Sequence, residues 1–177
     1  MARLTTIGVA FLVLTGCSVQ HGTRFDVAHA ESDGEARASI DLMLDDFHDA
    51  ASDADFDRYF SHFAPEGYFL GTDASERWSR AMFERYTRAR FETGTGWTYA
   101  PRTREVVIDL ERGYAWFDEL LDNERYGTSR GTGTLSRDTH GAWKIEQYHL
   151  SFPIPNDIAA SLTDQIKSFE ASRRNGQ

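Results

Sequence analysis

The chain has 177 residues, a formal net charge of −9 and an aromatic content of 13%. Its length predicts one domain of ordinary size, and the excess of acidic residues argues against a nucleic-acid partner. A single cysteine excludes an intramolecular disulfide, so we expect the fold to depend on its apolar core. The many aromatic side chains predict either a thick core or a deep apolar pocket, and composition does not separate the two.

The first 16 residues have the pattern of an export signal. Arg3 supplies a positive charge, residues 7–14 form a short apolar segment, and Gly16 precedes the lone cysteine, Cys17. The apolar segment is shorter than the roughly 20 residues that a membrane-spanning helix needs. The pattern predicts that residues 1–16 are removed.

The run Leu14-Thr15-Gly16-Cys17 resembles the lipobox of bacterial lipoproteins. This resemblance implies that Cys17 is acylated and that its acyl chains hold the mature protein to a membrane. Ser18 stands where lipoproteins retained in the inner membrane carry aspartate, so the resemblance implies an outer-membrane location facing the periplasm. An ordinary secretory signal, or a buried apolar cysteine, is the alternative. Residues 17–34 are polar and aperiodic, which predicts a flexible tether after the acylated cysteine.

The predicted domain covers residues 35–172 and begins with helices. Apolar residues recur at helical spacing in three segments, residues 40–51, 56–63 and 78–89. A short apolar run, residues 68–70, predicts one strand before the third helix.

From Trp97 onward the apolar period changes from helical to alternating, which predicts an antiparallel meander. The predicted strands cover residues 97–99, 103–110, 114–121, 129–136 and 143–152. A final amphipathic helix follows Pro153 and carries Ile158, Leu162, Ile166 and Phe169. Helices followed by a meander make an α+β arrangement.

Residues 35–156 resemble the SnoaL-like branch of the nuclear transport factor 2 superfamily. The resemblance rests on the order of the elements and on five runs: Gly71-Thr72-Asp73, Glu76-Arg77-Trp78, Ala115-Trp116-Phe117-Asp118-Glu119, Arg130-Gly131-Thr132-Gly133 and Trp143-Lys144-Ile145. It implies an α+β fold in which a cone-shaped, curved antiparallel sheet wraps around N-terminal helices. It also implies a homodimer formed through the outer face of the sheet.

Ketosteroid isomerase, a member of this superfamily, uses an acid-base aspartate, a tyrosine and a protonated aspartate inside the cone. By element order the corresponding positions here are Gly71, Phe47 and Gly133, so the resemblance disfavours that chemistry. Asp73 lies near the position of the base. Its spacing to Glu76 is also that of a capping box at the start of the third helix, which is the alternative role.

The adjacent pair Asp118-Glu119 is the second candidate for a reactive site. Neighbouring strand residues point to opposite faces, so only one of the two carboxylates enters the cone. The inward carboxylate either titrates at a raised pKa or pairs with a cation, and Arg130 is the predicted partner. A general base, a salt bridge that orients a ligand and an ion pair at the rim all remain open.

Four aromatic residues, Trp78, Trp97, Trp116 and Tyr148, are candidates for the pocket wall, with core packing as the alternative for two of the three tryptophans. By the resemblance, Tyr148 points into the cone and His149 to the outer face. The histidines lack the spacing of a zinc site, and no cofactor motif is present, so neither a metal nor a cofactor is predicted.

These features predict a membrane-anchored envelope lipoprotein whose cone binds a small apolar or amphipathic ligand. Two alternatives stay open. One is an isomerase, cyclase or hydratase that uses a single inward carboxylate as general base. The other is a dimeric accessory or assembly protein of the envelope.

Overall fold

A computed structural model describes residues 31–175, which belong to one compact unit. The helices of this part are α1 Asp33–Ser52, α2 Phe56–Ser61, α3 Arg80–Glu92 and α4 Asn156–Asn175. The strands are β1 Phe63–Leu70, β2 Arg77–Ser79, β3 Ala100–Asp109, β4 Tyr114–Asn123, β5 Gly127–Arg137 and β6 Trp143–Ser151. The predicted α+β fold, with a curved and unclosed sheet beside N-terminal helices, is confirmed.

Helix α1 begins with a capping box and buries one apolar stripe. The Ser32 hydroxyl accepts from the Glu35 amide at 3.3 Å, and the Glu35 carboxylate accepts from the Ser32 amide at 2.8 Å. Ile40 and Leu44 are fully buried, one turn apart. The stripe faces β3 and β6, which places α1 on the inner face of the sheet.

The six strands form one sheet in the order β2-β1-β6-β5-β4-β3. Its neighbouring strands are antiparallel except for β1 and β6, which pair in parallel. The predicted antiparallel pattern holds where short turns join the strands, from β3 to β6. Strand β1 enters from α2, so no hairpin turn dictates its direction against β6.

Strand β6 contains a bulge that changes which residues face inward. Ile145 and Gln147 pair with consecutive residues of β5, so Glu146 is an extra residue in β6. Ile145 and Tyr148 are therefore both buried on the inner face. Strict alternation along β6 would place Ile145 on the outer face with His149, and it fails across the bulge.

Two predicted element boundaries and one predicted strand are also wrong. Helix α3 begins at Arg80 after the N-cap Ser79, so Trp78 lies in β2 rather than in the helix. Strand β1 already begins at Phe63, which the helical spacing assigned to the second helix. Residues 97–99 form no strand but a connection that leads into β3.

The loop between β1 and β2 replaces the predicted capping box. The Asp73 carboxylate accepts from the amide and the hydroxyl of Ser75, at 2.8 and 2.6 Å, and Glu76 accepts from the Asp73 amide at 3.1 Å. This is a side-chain-stabilised turn with no helix behind it, because β2 follows at once. The predicted role of Asp73 as a helix cap is therefore wrong.

No helix of the described part is long and apolar enough to span a bilayer.

Candidate functional site

A buried ionic cluster lies where α1 crosses the sheet. Glu119 of β4 is 1% exposed, and its Oε1 accepts from the Tyr148 hydroxyl at 2.9 Å and lies 2.7 Å from His48 Nε2. Its Oε2 accepts from Arg104 Nε at 2.9 Å. We call Glu119, His48, Arg104 and Tyr148 the inner cluster. Both carboxylate oxygens are bonded to buried groups, as a buried charge requires.

The strands bring three of these residues together. Alternation along β4 points Phe117, Glu119 and Leu121 inward. Arg104 of β3 pairs directly with Glu119 in the antiparallel register, so their side chains meet on the same face. Arg104 also donates to the Asp41 carbonyl of α1 at 3.1 Å, which ties the helix to the sheet.

A glycine on the next strand makes room for the tyrosine. Gly131 of β5 pairs with Glu119 on one side and with Leu150 of β6 on the other. A Cβ at this position would overlap the Tyr148 hydroxyl and approach Glu119 Oε1 to 2.9 Å. The absence of a side chain here therefore permits the hydrogen bond between Tyr148 and Glu119.

The inner cluster holds Glu119 as an anion. Burial raises the pKa of Glu119, but its contacts with His48, Arg104 and Tyr148 outweigh burial and hold the pKa below the ordinary value of 4.5. Burial and the neighbouring Glu119 charge raise the pKa of Tyr148 well above its usual range, so its hydroxyl stays protonated and donates. The site thus combines one fixed anion with a histidine and a hydroxyl donor.

A cavity of about 400 Å³ opens beside this cluster. A smaller pocket of about 20 Å³ lies deeper and is lined by His48 and Tyr148. Trp97 and Leu150 are among the residues that line both spaces, so the two spaces adjoin. The small pocket has room for about one water-sized group, and His48 is part of its wall.

Stacked aromatic rings line one wall from the opening to the inner cluster. Tyr86 stacks on Trp78 with centroids 4.6 Å apart, and Trp78 stacks on Phe83 at 5.5 Å. Phe83 stacks on Phe69 at 4.1 Å, and Phe69 on Tyr148 at 5.8 Å. Tyr86 is exposed and Tyr148 is buried, so the row runs inward. Such a wall suits an apolar molecule.

Some predicted site residues belong to this region. Glu119 and Tyr148 lie in the inner cluster, and Trp97 lines the cavity. Asp73 is exposed in the loop next to Thr72, which lines the cavity opening. Cys17 lies outside the described residues.

Other predicted site residues lie on the opposite, outer face of the sheet. Asp118 and Arg130 are exposed there, and Trp116 is 51% exposed and lines neither cavity. The predicted pairing of the inward carboxylate with Arg130 is wrong. Arg130 pairs with the outward-facing Leu120 across β4 and β5, and Arg104 is the arginine that contacts Glu119.

Sequence reasoning missed His48 and Arg104. His48 falls within the apolar stripe of α1, one turn after Leu44, and Arg104 shares the inner face of β3 with Val106. A polar residue on a predicted apolar face was thus the available signal in both cases. Their partner was not readable, because Glu119 follows His48 by 71 residues.

The three positions aligned with the ketosteroid isomerase residues carry no acid or base. Phe47 is buried and stacks on Tyr59 at 4.6 Å. Gly71 lines the cavity, and Gly133 adjoins Phe117, whose ring would lie 2.6 Å from an added Cβ. Within residues 31–175, no three His, Cys, Asp or Glu side chains are grouped as a metal site requires.

Solved structures share this architecture at low sequence identity. An NTF2-like protein of unknown function from Pseudomonas putida is 16% identical with a TM-score of 0.59, over 71% of this chain and 92% of that one. A protein from Streptomyces avermitilis, proposed to be a dehydratase of the NTF2-like family, is 13% identical with a TM-score of 0.59, over 70% and 100%. A protein from Shewanella frigidimarina, proposed to be a ketosteroid isomerase, is 17% identical with a TM-score of 0.52, over 64% and 94%. At these identities the similarity shows the fold.

Comparison with curated proteins gives no match. The family model described as SnoaL-like domain matches residues 40–155, from α1 to the end of the sheet. That span contains the inner cluster and the lining of both cavities. The chain therefore belongs to the family of proteins with a SnoaL-like domain.

Proposed function

We propose that this SnoaL-like domain binds a small, largely apolar molecule in the cavity. The observation that carries the proposal is the stacked wall of Tyr86, Trp78, Phe83 and Phe69, which borders a space of about 400 Å³. Ligand sites of this kind are concave and mostly apolar, with a few fixed polar groups that orient the ligand. His48 and Tyr148 are those groups at the deep end.

Titration with the neutral fluorophore N-phenyl-1-naphthylamine tests this proposal. We expect saturable fluorescence enhancement with the purified protein. The variant Thr72→Trp, which adds bulk at the cavity opening, should abolish it. Thr139→Trp adds the same side chain in the exposed turn between β5 and β6 and serves as the control. Equal binding by both variants, or no binding by the wild type, would contradict the proposal.

A second candidate function is acid-base catalysis with His48 as the proton acceptor. The ionised Glu119 carboxylate lies 2.7 Å from Nε2, which favours a proton on Nε2 and leaves Nδ1 as the basic atom. Glu119 itself suits the role of general base poorly. Its pKa is lowered and both oxygens are bonded, so it orients the histidine instead. One structural neighbour is proposed to be a ketosteroid isomerase, and another a dehydratase.

Isomerisation of β,γ-unsaturated ketones, including a 5-ene-3-ketosteroid, is a direct assay because the conjugated product absorbs in the ultraviolet. Turnover by the wild type is expected to disappear in His48→Gln and to persist in Asp118→Asn, which changes a carboxylate on the outer face. Turnover that survives in His48→Gln excludes His48 as the base. An inactive wild type leaves the binding function as the better description.

We also propose that Cys17 is lipidated and anchors the protein to the outer membrane, facing the periplasm. The support is the lipobox-like run Leu14-Thr15-Gly16-Cys17. Two or three acyl chains, at about 0.8 kcal/mol for each buried methylene, make such anchoring stable. Cell fractionation tests this: the wild type should sediment with outer membranes and label with palmitate, whereas Cys17→Ala should do neither.

A homodimer through the outer face of the sheet is a further part of the proposal. Val107 and Trp116 pair across β3 and β4 there, next to Tyr114, and all three are about half exposed. Apolar patches on a sheet face are typical of interaction sites. Trp116→Glu should convert a dimer to a monomer in analytical ultracentrifugation. A monomeric wild type would instead favour the alternative, an accessory role in which this face binds another envelope protein.

A further inference from the structure

Two arginines border the opening of the cavity. Arg90 lies near the end of α3, and Arg125 lies in the turn between β4 and β5. The Arg90 guanidinium is 5.7 Å from the centroid of Trp97, and that of Arg125 is 5.0 Å from the centroid of Tyr126. Both rings line the same cavity. The guanidinium groups are thus held on the wall by stacking, which leaves N–H edges for hydrogen bonds.

Neither guanidinium is neutralised by a carboxylate within the described part of the chain. Arg80 on the same helix is paired, with Glu84 at 2.9 Å, whereas no carboxylate of residues 31–175 lies within 4.0 Å of Arg90 or Arg125. Arg90 instead donates to the Gly96 carbonyl at 2.9 Å. In a chain with a net charge of −9, two unpaired cations at one opening are a local departure from the overall field.

One acidic side chain in the cavity lining offsets these two cations in part. Glu76 is the acidic residue among the described lining residues, and its Oε2 accepts from the Asp73 amide at 3.1 Å. Its carboxylate thus closes the turn between β1 and β2. The lining therefore carries two arginines and one carboxylate beside an aromatic wall, and arginine side chains are suited to binding a carboxylate or sulfonate.

We infer that the ligand of this cavity is an amphipathic organic anion, whose carboxylate or sulfonate binds Arg90 and Arg125 while its apolar body lies against the aromatic wall. This inference rests on the proposed binding function and adds the charge and the orientation of the ligand. The anionic end stays at the opening, and the apolar end points toward His48.

Two probes with the same ring skeleton separate charge from shape. The anion 8-anilino-1-naphthalenesulfonate and neutral N-phenyl-1-naphthylamine differ by the sulfonate alone. The double variant Arg90→Gln/Arg125→Gln should weaken binding of the sulfonate probe about tenfold or more, which is the size expected for lost charge-assisted hydrogen bonds. Its affinity for the neutral probe should stay within about twofold of the wild type. Only fluorescence that Thr72→Trp removes is counted, which excludes binding elsewhere on the surface.

Arg88→Gln is the matched control. Arg88 lies on the same helix and stacks over Phe56 at 4.0 Å, but it does not line the cavity, so the sulfonate should bind this variant like the wild type. Unchanged affinity of the double variant for the sulfonate probe overturns the inference. The proposed binding function still holds in that case if the neutral probe binds in the cavity. Equal weakening of both probes means that the arginines shape the cavity, and this also overturns it. Absence of cavity binding by either probe overturns the proposed function and the inference together.

Discussion

Two clusters in this domain combine an arginine, a carboxylate and a histidine. In the inner cluster, Arg104 and His48 hold Glu119, whose side chain is fully buried. In the second triad, Arg58 and His62 contact Asp46, which is 44% exposed. Both histidines approach their carboxylate through Nε2, at 2.7 and 2.9 Å.

The difference between the two lies in access and in completeness. His48 lines the small pocket, whereas Arg58, His62 and Asp46 line neither the small pocket nor the larger cavity. Tyr148 adds a further donor to Glu119, while His62 Nε2 is close to Asp46 without hydrogen-bond alignment. A histidine–carboxylate contact alone therefore does not indicate a reactive site. Burial of the anion and a histidine that lines a pocket beside the cavity are what distinguish the inner cluster.

The largest effect on stability is expected when the carboxylates of Glu119 and Asp46 are neutralised in two separate variants. Glu119→Gln removes the buried partner of Arg104 and leaves it only the more exposed carboxylates of Asp45, at 3.0 Å, and Asp41, at 3.4 Å, so it should lower the free energy of unfolding by about 2 to 3 kcal/mol. Asp46→Asn removes a half-exposed anion that water already screens, so it should cost less than about 1 kcal/mol. Urea denaturation followed by tryptophan fluorescence measures both values.

The adjacent residue supplies the control for this measurement. Asp118→Asn changes a carboxylate of the same strand on the exposed face and should alter stability by no more than about 0.5 kcal/mol. Equal losses in Glu119→Gln and Asp46→Asn would mean that burial does not separate the two clusters.

Gly131 offers a way to perturb the inner cluster without touching its charges. Gly131→Ala adds a Cβ where the Tyr148 hydroxyl lies and should cost about 2 kcal/mol through overpacking. Tyr148→Phe removes that hydroxyl and one donor to Glu119, at a cost of about 1 to 2 kcal/mol. The double variant should lose less than the sum of the two, because the overlap with the hydroxyl is gone. Strict additivity in the denaturation data would place the strain elsewhere.

Acidification should affect the two clusters in separate pH windows. Burial holds the pKa of His62 below 6.5, and the partners of Glu119, acting against burial, hold its pKa below 4.5. A group with a lowered pKa stabilises the fold above its unfolded pKa, and that contribution is lost as pH falls through the folded pKa. Stability should therefore fall below pH 6.5 because of His62, and again below pH 4.5 because of Glu119.

Variants assign these two slopes. Denaturation midpoints measured across this pH range should lose the upper slope in His62→Gln and show a shallower lower slope in Glu119→Gln, because Asp46 and other carboxyl groups with a lowered pKa still contribute there. A wild-type protein whose stability is flat from pH 6.5 to 5 would show that His62 is not held neutral in the fold.

The strands from β3 to β6 could be predicted from the sequence because alternation, glycines and short turns are local signals. The bulge at Glu146 could not, since it depends on how β6 pairs with β5. For the same reason the helical spacing of Phe56, Tyr59 and Phe63 did not reveal that Phe63 opens a strand. Tertiary pairing overrides a local period there.

The site followed the same division between local and distant information. That one of Asp118 and Glu119 faces inward follows from the alternation of β4, and the structure identifies Glu119. Its cation could not be chosen from the sequence, because Arg104 and Arg130 both lie on strands beside β4. The choice depends on which face each arginine occupies, and this is set by the pairing register.

The smallest effect is expected when the second triad is altered and ligand binding is measured. His62→Gln should change the affinity for N-phenyl-1-naphthylamine by no more than about twofold, because independent sites affect one another little. His48→Gln alters the wall of the small pocket and should change the affinity for this probe more. Within residues 31–175, Phe47 is the one ring that contacts both histidines, with centroid distances of 5.2 Å to His48 and 6.2 Å to His62. If His62→Gln weakens binding of the probe as much as His48→Gln does, the two clusters are coupled through Phe47. The distinction between the inner cluster and the second triad then fails.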